Sequence, residues 1–207
     1  TKALTYDFLS VTAPHTIAVT YKIKTYLITT STDANGSITA SPTINHGSNT
    51  TITMTPNIGY EIKTLTVDGS VVTNALTYDF TNVTDTHTIA VTYQLKTYLI
   101  TTTAGTNGAI TASPTINYGT DATITITPET GYEVDVLTVD TVIVTSALSH
   151  TFTTVTGPHS IGVTFKIKTY VITTTAGING GITASPTINH GANTTITMTP
   201  NAGYEID

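Results

Sequence analysis

The chain returns to itself every 72 residues without an insertion or deletion. KTYLITT at 24–30 recurs at 96–102 and, as KTYVITT, at 168–174. ITASPTIN at 38–45 recurs at 110–117 and 182–189, and GYE at 59–61 recurs at 131–133 and 203–205. About 42 of the 72 positions are identical between 24–95 and 96–167. A fixed period of this kind marks an array of like structural units. It argues for a spacer or fibre and against one sculpted active site. Two complete repeats, 24–95 and 96–167, are flanked by the C-terminal part of a repeat at 1–23 and the N-terminal part of another at 168–207. A unit this small sits near the lower limit for a self-sufficient core, so neighbours are expected to share stabilisation.

The vocabulary is that of strands. Roughly a quarter of the residues are Thr, and Thr, Val, Ile and Tyr suit a pleated surface. The formal charge of −6, with seven lysines scattered singly, offers no basic patch for nucleic acid or anionic lipid. No apolar run approaches the roughly 18–20 residues that span a bilayer, so no membrane insertion is expected within this segment. Cysteine is absent, which removes disulfides and thiolate metal sites. There is no initiator Met and no signal peptide, and residue 1 falls inside a repeat; the segment reads as an excerpt of a longer chain.

Within 24–95 the alternation predicts seven strands, at 25–31, 36–41, 50–56, 61–67, 70–73, 76–81 and 87–94. Asn35-Gly36 and Asp68-Gly69 fit tight hairpin turns. Ser41-Pro42-Thr43 and Pro56–Gly59 read as loops. Ile52 and Met54 share one face of their strand and Thr51, Thr53 and Thr55 the other. Leu76, Tyr78 and Phe80 share a face, as do Ile89, Val91 and Tyr93. The expected core is Tyr26, Ile28, Ile38, Ile52, Met54, Tyr60, Ile62, Leu65, Val67, Leu76, Phe80, Val83, Ile89 and Val91. No stretch carries a capped 3.6-residue period, so helix is not expected.

The junction is the next most constraining feature. His15 to Ile28 contains no Gly, Pro or Ser. Ile17, Val19, Tyr21 and Ile23 keep odd phase, after which Tyr26 and Ile28 take even phase. A slip of one residue at Lys24-Thr25 moves the buried face to the other side of the strand. The last strand of one unit is expected to run straight into the first strand of the next, unlike a Gly/Ser linker. The two end fragments together make a whole unit lacking only the counterpart of 64–72. The simpler expectation is a cut through a long array; the other is that the tail of one chain completes the head of the next by strand complementation.

This ordered set resembles the divergent branch of the internalin B-type B-repeat family, found in tandem on bacterial surface and secreted proteins. The residues that carry the resemblance are Tyr26 and Ile28, Asn35-Gly36, ITASPT, the TITMTPN segment, Gly59-Tyr60-Glu61, LTVDG at 65–69, F-T-x-V-T at 80–84 and H-x-I-x-V at 87–91. It implies an extracellular or cell-surface structural or adhesive role and no general catalytic residues. The fold class is therefore all-β, a tandem array of small β-sandwich or β-grasp-like units joined end to end without linkers. The missing helix candidate keeps the plain sandwich open beside the β-grasp form.

Candidate chemistry is sparse. His15, His87 and His159 occupy one repeat position, but the nearest acid in sequence, Asp85, is Gly157 in the next copy; a structural role is the expectation. His46 and His190 alternate with Tyr118, which a metal site would not tolerate. Asp33, Asp68, Asp79, Asp85 and Asp121 lack the spacing of a calcium loop. No metal, cofactor or catalytic residue is assigned, and the chain is not expected to be an enzyme. Asn35, Asn49, Asn82 and Asn193 head N-glycosylation triplets, which also arise by chance in so Thr-rich a chain. Lys24, Asn45 and Glu61, with Lys96, Asn117 and Glu133, form a minor candidate for an isopeptide crosslink; solvated Lys and turn-forming Asn are the plainer reading. The Thr51, Thr53, Thr55 face lacks the stacked rows that an ice-binding surface needs, because its copies lie a whole unit apart.

The function expected is a stiff extracellular stalk or filament, with copies of itself as partners, head to tail or side by side. The alternative is an adhesin whose repeats bind surface glycans or proteins through loops such as Asn45–Thr50 and Val83–His87.

Overall fold

The structure, a computed structural model, describes residues 4–39, 43–111, 115–183 and 187–207. They form two compact units: one up to Thr55 together with Ile62–Thr92, the other Pro56–Glu61 together with Tyr93–Asp207. Every element among the described residues is a strand.

The first complete repeat carries β1 (Thr25–Tyr26), β2 (Ile28–Thr32), β3 (Gly36–Ile38), β4 (Ile44–Asn45), β5 (Thr50–Pro56), β6 (Tyr60–Val67), β7 (Ser70–Val72), β8 (Thr77–Phe80) and β9 (His87–Leu95). The second carries their counterparts β10 (Thr97–Tyr98), β11 (Ile100–Ala104), β12 (Gly108–Ile110), β13 (Ile116–Asn117), β14 (Ala122–Pro128), β15 (Tyr132–Val139), β16 (Val142–Val144), β17 (Ser149–Phe152) and β18 (His159–Ile167). Six of the seven strands expected from alternation form as single strands; the seventh, 25–31, is broken at Leu27 into β1 and β2, which pair in different sheets, and β4 and β13, two residues each, are additions. The end of the 36–41 strand and Ser41-Pro42 lie outside the described residues.

Each repeat folds into two sheets and a two-stranded ladder. A four-stranded sheet runs β2-β9-β6-β7, a three-stranded sheet β3-β5-β8, and β1 pairs with β4; the second repeat repeats the scheme as β11-β18-β15-β16, β12-β14-β17 and β10-β13. Ile100, Leu137, Ile161 and Val163 from the larger sheet and Ile124, Ile126 and Phe152 from the smaller one share a single buried cluster. That is a small sandwich, with no helix among the described residues. β14 shows how sequence makes it: Ala122, Ile124 and Ile126 are buried and the threonines between them exposed. In the first repeat Ile44 and Tyr93 join the expected core. Leu76 leaves it, 58 % exposed, because β8 begins only at Thr77. Tyr26, Ile38, Tyr60 and Ile62 are half-buried.

Two features were not anticipated. Asn35-Gly36 does not close a hairpin: β2 and β3 belong to different sheets, and the turn carries the chain from one to the other. The Asp33 carboxylate accepts the Asn35 N–H at 2.9 Å there. And β2 pairs with β9 in parallel, Ile28 opposite His87 through Thr32 opposite Val91, so the first and last long strands of a repeat are neighbours. The same register joins β11 and β18, from Ile100 opposite His159 to Ala104 opposite Val163. These partners come from opposite ends of a repeat. Residues 4–23, the counterparts of β8 and β9, accordingly carry no strand, and neither do residues 171–179, where the counterpart of β2 would lie. Of the third copy, strands form at Thr169–Tyr170, Gly180–Ile182, Ile188–Asn189 and Met198–Pro200.

The Asp68-Gly69 hairpin is as expected, with φ of 49° and 78° matching a type I′ turn. Its counterpart is Asp140-Thr141, where the β-branched Thr141 is held at φ 67°. Glycine adopts this region freely and a β-branched residue does not. Thr141→Gly is expected to raise the stability of the second repeat by about 1 kcal/mol; a denaturant midpoint that fails to rise would refute the strain.

Candidate functional site: the joint between repeats

The connection between repeats is built on a lysine backbone. β18 ends at Ile167, and the chain continues through Lys168 into the ladder at Thr169–Tyr170. Burial shows the phase slip: Ile161, Val163, Phe165 and Ile167 turn inward at odd positions, and Ile172 and Thr174 do so at even ones. Lys168 is where the phase changes, and both its backbone groups are engaged. Its N–H donates to the Gly131 carbonyl at 2.8 Å, and its carbonyl accepts the His190 N–H at 2.8 Å. The first bond reaches back into the preceding repeat, the second forward into the following one. Lys96 is placed identically, donating to Gly59 at 2.8 Å and accepting from Tyr118 at 2.9 Å.

An aromatic ring completes each joint. Gly59 and Gly131, of the GYE motif, are buried with φ of 83° and 86°. A Cβ on Gly59 would stand 2.5 Å from Cδ1 of Tyr118, and one on Gly131 would run into the ring of His190. The glycine is thus a socket that the ring of the next repeat closes, and any side chain there would exclude it. A second ring braces the first. Tyr98 lies 6.4 Å from Tyr118, and Tyr170 lies 6.0 Å from His190, centroid to centroid. Tyr26 and His46 form the same pair at 5.8 Å, with the Tyr26 hydroxyl 3.2 Å from His46 Nδ1. This explains why positions 46, 118 and 190 accept His or Tyr alike: the site asks for a flat ring.

Beside the second joint lies an open cleft of about 630 Å³, whose walls include Tyr132, Leu148, Tyr170 and His190 with Glu129 and Glu133.

The recurring histidines find partners the sequence did not suggest. His87 Nδ1 lies 2.8 Å from an Asp68 carboxylate oxygen, and His159 Nδ1 lies 2.8 Å from Asp140. The ring of each also stacks on Phe80 or Phe152, with centroids 4.8 Å and 4.7 Å apart. Asp85, the acid nearest in sequence, instead accepts the Thr86 N–H. The backbone N–H of Thr88 first, and His87 second, hold the Asp68 carboxyl below the ordinary aspartate range; Ser160 and His159 do the same for Asp140. A carboxyl with a depressed folded pKa contributes stability that is present above the unfolded value, about 4, and is lost as pH falls through it towards the folded value. The melting midpoint is therefore expected to fall on acidification below about pH 4, and Asp68→Asn with Asp140→Asn should flatten that fall in a circular-dichroism melt. An undiminished pH slope in the double variant would show that other carboxyls carry it.

The remaining candidates are dispersed. Asn49 Oδ1 accepts the Asn82 N–H at 2.8 Å, and Asp121 accepts that of Thr154 at 2.7 Å, each holding a residue at φ 49°. Among the acceptor asparagines, Asn49, Asn82 and Asn193 are exposed and Asn35 half-buried. Among the crosslink candidates, Thr25 faces Asn45 and Thr97 faces Asn117, which sets each asparagine near its lysine along the backbone of Lys24 or Lys96. The glutamates go elsewhere: Gln94 donates to Glu61 at 2.8 Å, and Glu133 stands 3.8 Å from Lys166. Both asparagines and both glutamates are exposed, and no polar or charged side chain is buried among the described residues. The buried carboxylate that such a bond requires is not assembled. No group of three metal-ligating side chains occurs among the described residues.

The 72-residue period agrees with what comparison shows. The sequence model of the divergent InlB B-repeat domain matches residues 26–97, 98–169 and 170–207. Its copies begin two residues later than the lysine-to-lysine boundaries, and the two complete ones keep the same 72-residue length. No curated protein matches the chain. The matched family is one of structural and surface repeats, not of enzymes, and the chain belongs to it: it is a tandem array of divergent InlB B-repeat domains.

Proposed function

We propose that the chain is a segment of a stiff extracellular stalk or filament. The observation that carries this reading is the joint. Repeats meet through one lysine whose N–H and C=O bond to the repeat on either side, and a ring seals the contact. A joint of this kind leaves no rotatable spacer, unlike a Gly/Ser linker whose span grows only as the square root of its length. The company this family keeps on bacterial surface and secreted proteins supports surface placement. Weakly charged, Thr-rich strand faces leave copies of the chain as the natural partners, side by side or end to end. The test is the length of arrays with increasing repeat number, seen by negative-stain electron microscopy. A contour growing in proportion to repeat number supports the stalk; compact or freely bent particles overturn it.

The cleft beside the second joint favours a second reading, a repeat that also grips a glycan or protein. It presents tyrosine rings with carboxylates, and the Asn45–Thr50 and Val83–His87 loops are not among its walls. Those loops are tied to one another by Gly47 N–H to Val83 carbonyl at 2.8 Å and Val83 N–H to Ser48 carbonyl at 3.0 Å. A glycan-array screen of the 207-residue chain, with Tyr170→Ala as control, separates the two readings.

A further inference from the structure

We infer that each repeat is a tension-bearing element whose entry and exit strands form a shear clamp. In the second repeat the chain enters on β11 and leaves on β18. These strands are adjacent and parallel over five residue pairs, from Ile100–His159 to Ala104–Val163. The ladder continues at both ends, with the His159 N–H donating to the Leu99 carbonyl at 3.3 Å and the Gly105 N–H donating to the Val163 carbonyl at 2.9 Å.

Consider a pull along the chain. It draws β11 back towards Lys96 and β18 forward towards Lys168. Because the strands are parallel neighbours, the pull slides one along the other. The hydrogen bonds between them lie across the line of force and must fail together. A hairpin pulled from its open end parts one bond at a time instead. Sliding also drags apolar side chains through the core: Ile100, Ile161 and Val163 are 1 %, 2 % and 4 % exposed. β18 is gripped on its other edge too, by β15 from Tyr132–Ile167 to Val139–Ile161. The first repeat has the same clamp, Ile28–His87 to Thr32–Val91, with Ile28, Ile89 and Val91 on its buried side.

The joint delivers the load without slack. β9 ends at Leu95, β10 starts at Thr97 and β11 at Ile100, so only Lys96, the short β10 and Leu99 separate the exit strand of one clamp from the entry strand of the next. A clamp in series with its neighbours turns a repeat array into a load-bearing tether, a property separate from resistance to bending. The rod-length measurement can therefore fail while the clamp holds, and the reverse.

The experiment is single-molecule pulling on the 207-residue chain held by its two ends. Two discrete rupture events are expected, one per complete repeat. Each should release a contour of about 24–26 nm, less the folded span, for 72 extended residues. The chain lacks cysteine, so Asp135→Cys and Thr145→Cys give unique handles that load the second repeat across the β15–β16 hairpin instead. Rupture in that direction should need less than half the force. Thr103, two residues before Gly105, presents the same edge to β18; Thr103→Pro deletes one donor from the clamp and should lower the end-to-end force of the second repeat alone. Equal forces in the two directions, or end-to-end unfolding without discrete events, would overturn the clamp. The directional comparison needs only the surface handles and stands even if the proline variant does not fold.

Discussion

Gly131→Val is expected to open the second joint while leaving the sandwich cores folded. Two costs add at this position. A β-branched residue at φ 86° carries strain of order 1–3 kcal/mol. Its side chain must also displace the His190 ring that a Cβ already meets, an overpacking cost of about 1–3 kcal/mol. The measurement is amide hydrogen exchange at Lys168 and His190, whose N–H groups bond to Gly131 and Lys168. Both should lose protection in the variant while amides of β14 keep theirs. Gly119 supplies the control, since its φ of 79° is similar but nothing lies within 4 Å of a Cβ there. Gly119→Val bears the backbone strain alone. If both variants leave Lys168 and His190 equally protected, the ring does not seal the joint.

Ile124→Ala should unfold the second repeat under conditions where the first persists. Ile124 is 1 % exposed, in the cluster with Leu137, Phe152 and Ile161. Truncating such a side chain costs about 2–5 kcal/mol. At about 0.05–0.15 kcal/mol per residue, a unit of 72 residues has about 4–11 kcal/mol in all, so this loss is a large share of it. Thr123 is its neighbour on the opposite face, exposed and hydroxyl to hydroxyl with Thr151 at 2.9 Å; Thr123→Ala should change stability by no more than about 0.5 kcal/mol. Urea unfolding followed by probes in each repeat checks both. A single unchanged transition in Ile124→Ala would mean that the core is shared across repeats more evenly than the buried cluster implies.

The strands were legible because their signal is local. Thr–Ile alternation in β5 and β14 depends on nothing beyond the strand itself, and the Asp68-Gly69 turn is a matter of backbone preference. The lysine slip was legible for the same reason, as a change of phase within one continuous run. What the chain did not disclose was pairing at a distance. Nothing near Ile28 says that its neighbour is His87, because a parallel pair has no turn to announce it. Asn35-Gly36 reads as a hairpin, yet its flanking strands have better partners in two different sheets. His87 meets Asp68, not Asp85, because the hairpin brings Asp68 back alongside the start of β9. The joint shows the limit most clearly. Gly131 and His190 both stand at recurring positions, but only the fold shows that one is the seat of the other.

That seating also has a direction in time. The socket at Gly131 is synthesised well before the ring at His190, and a ribosome adds about 5–20 residues per second. For some seconds each new repeat stands finished in sequence but with its glycine uncovered, waiting on a side chain that its successor will bring. Assembly of the array is therefore vectorial: each repeat is closed by the one made after it.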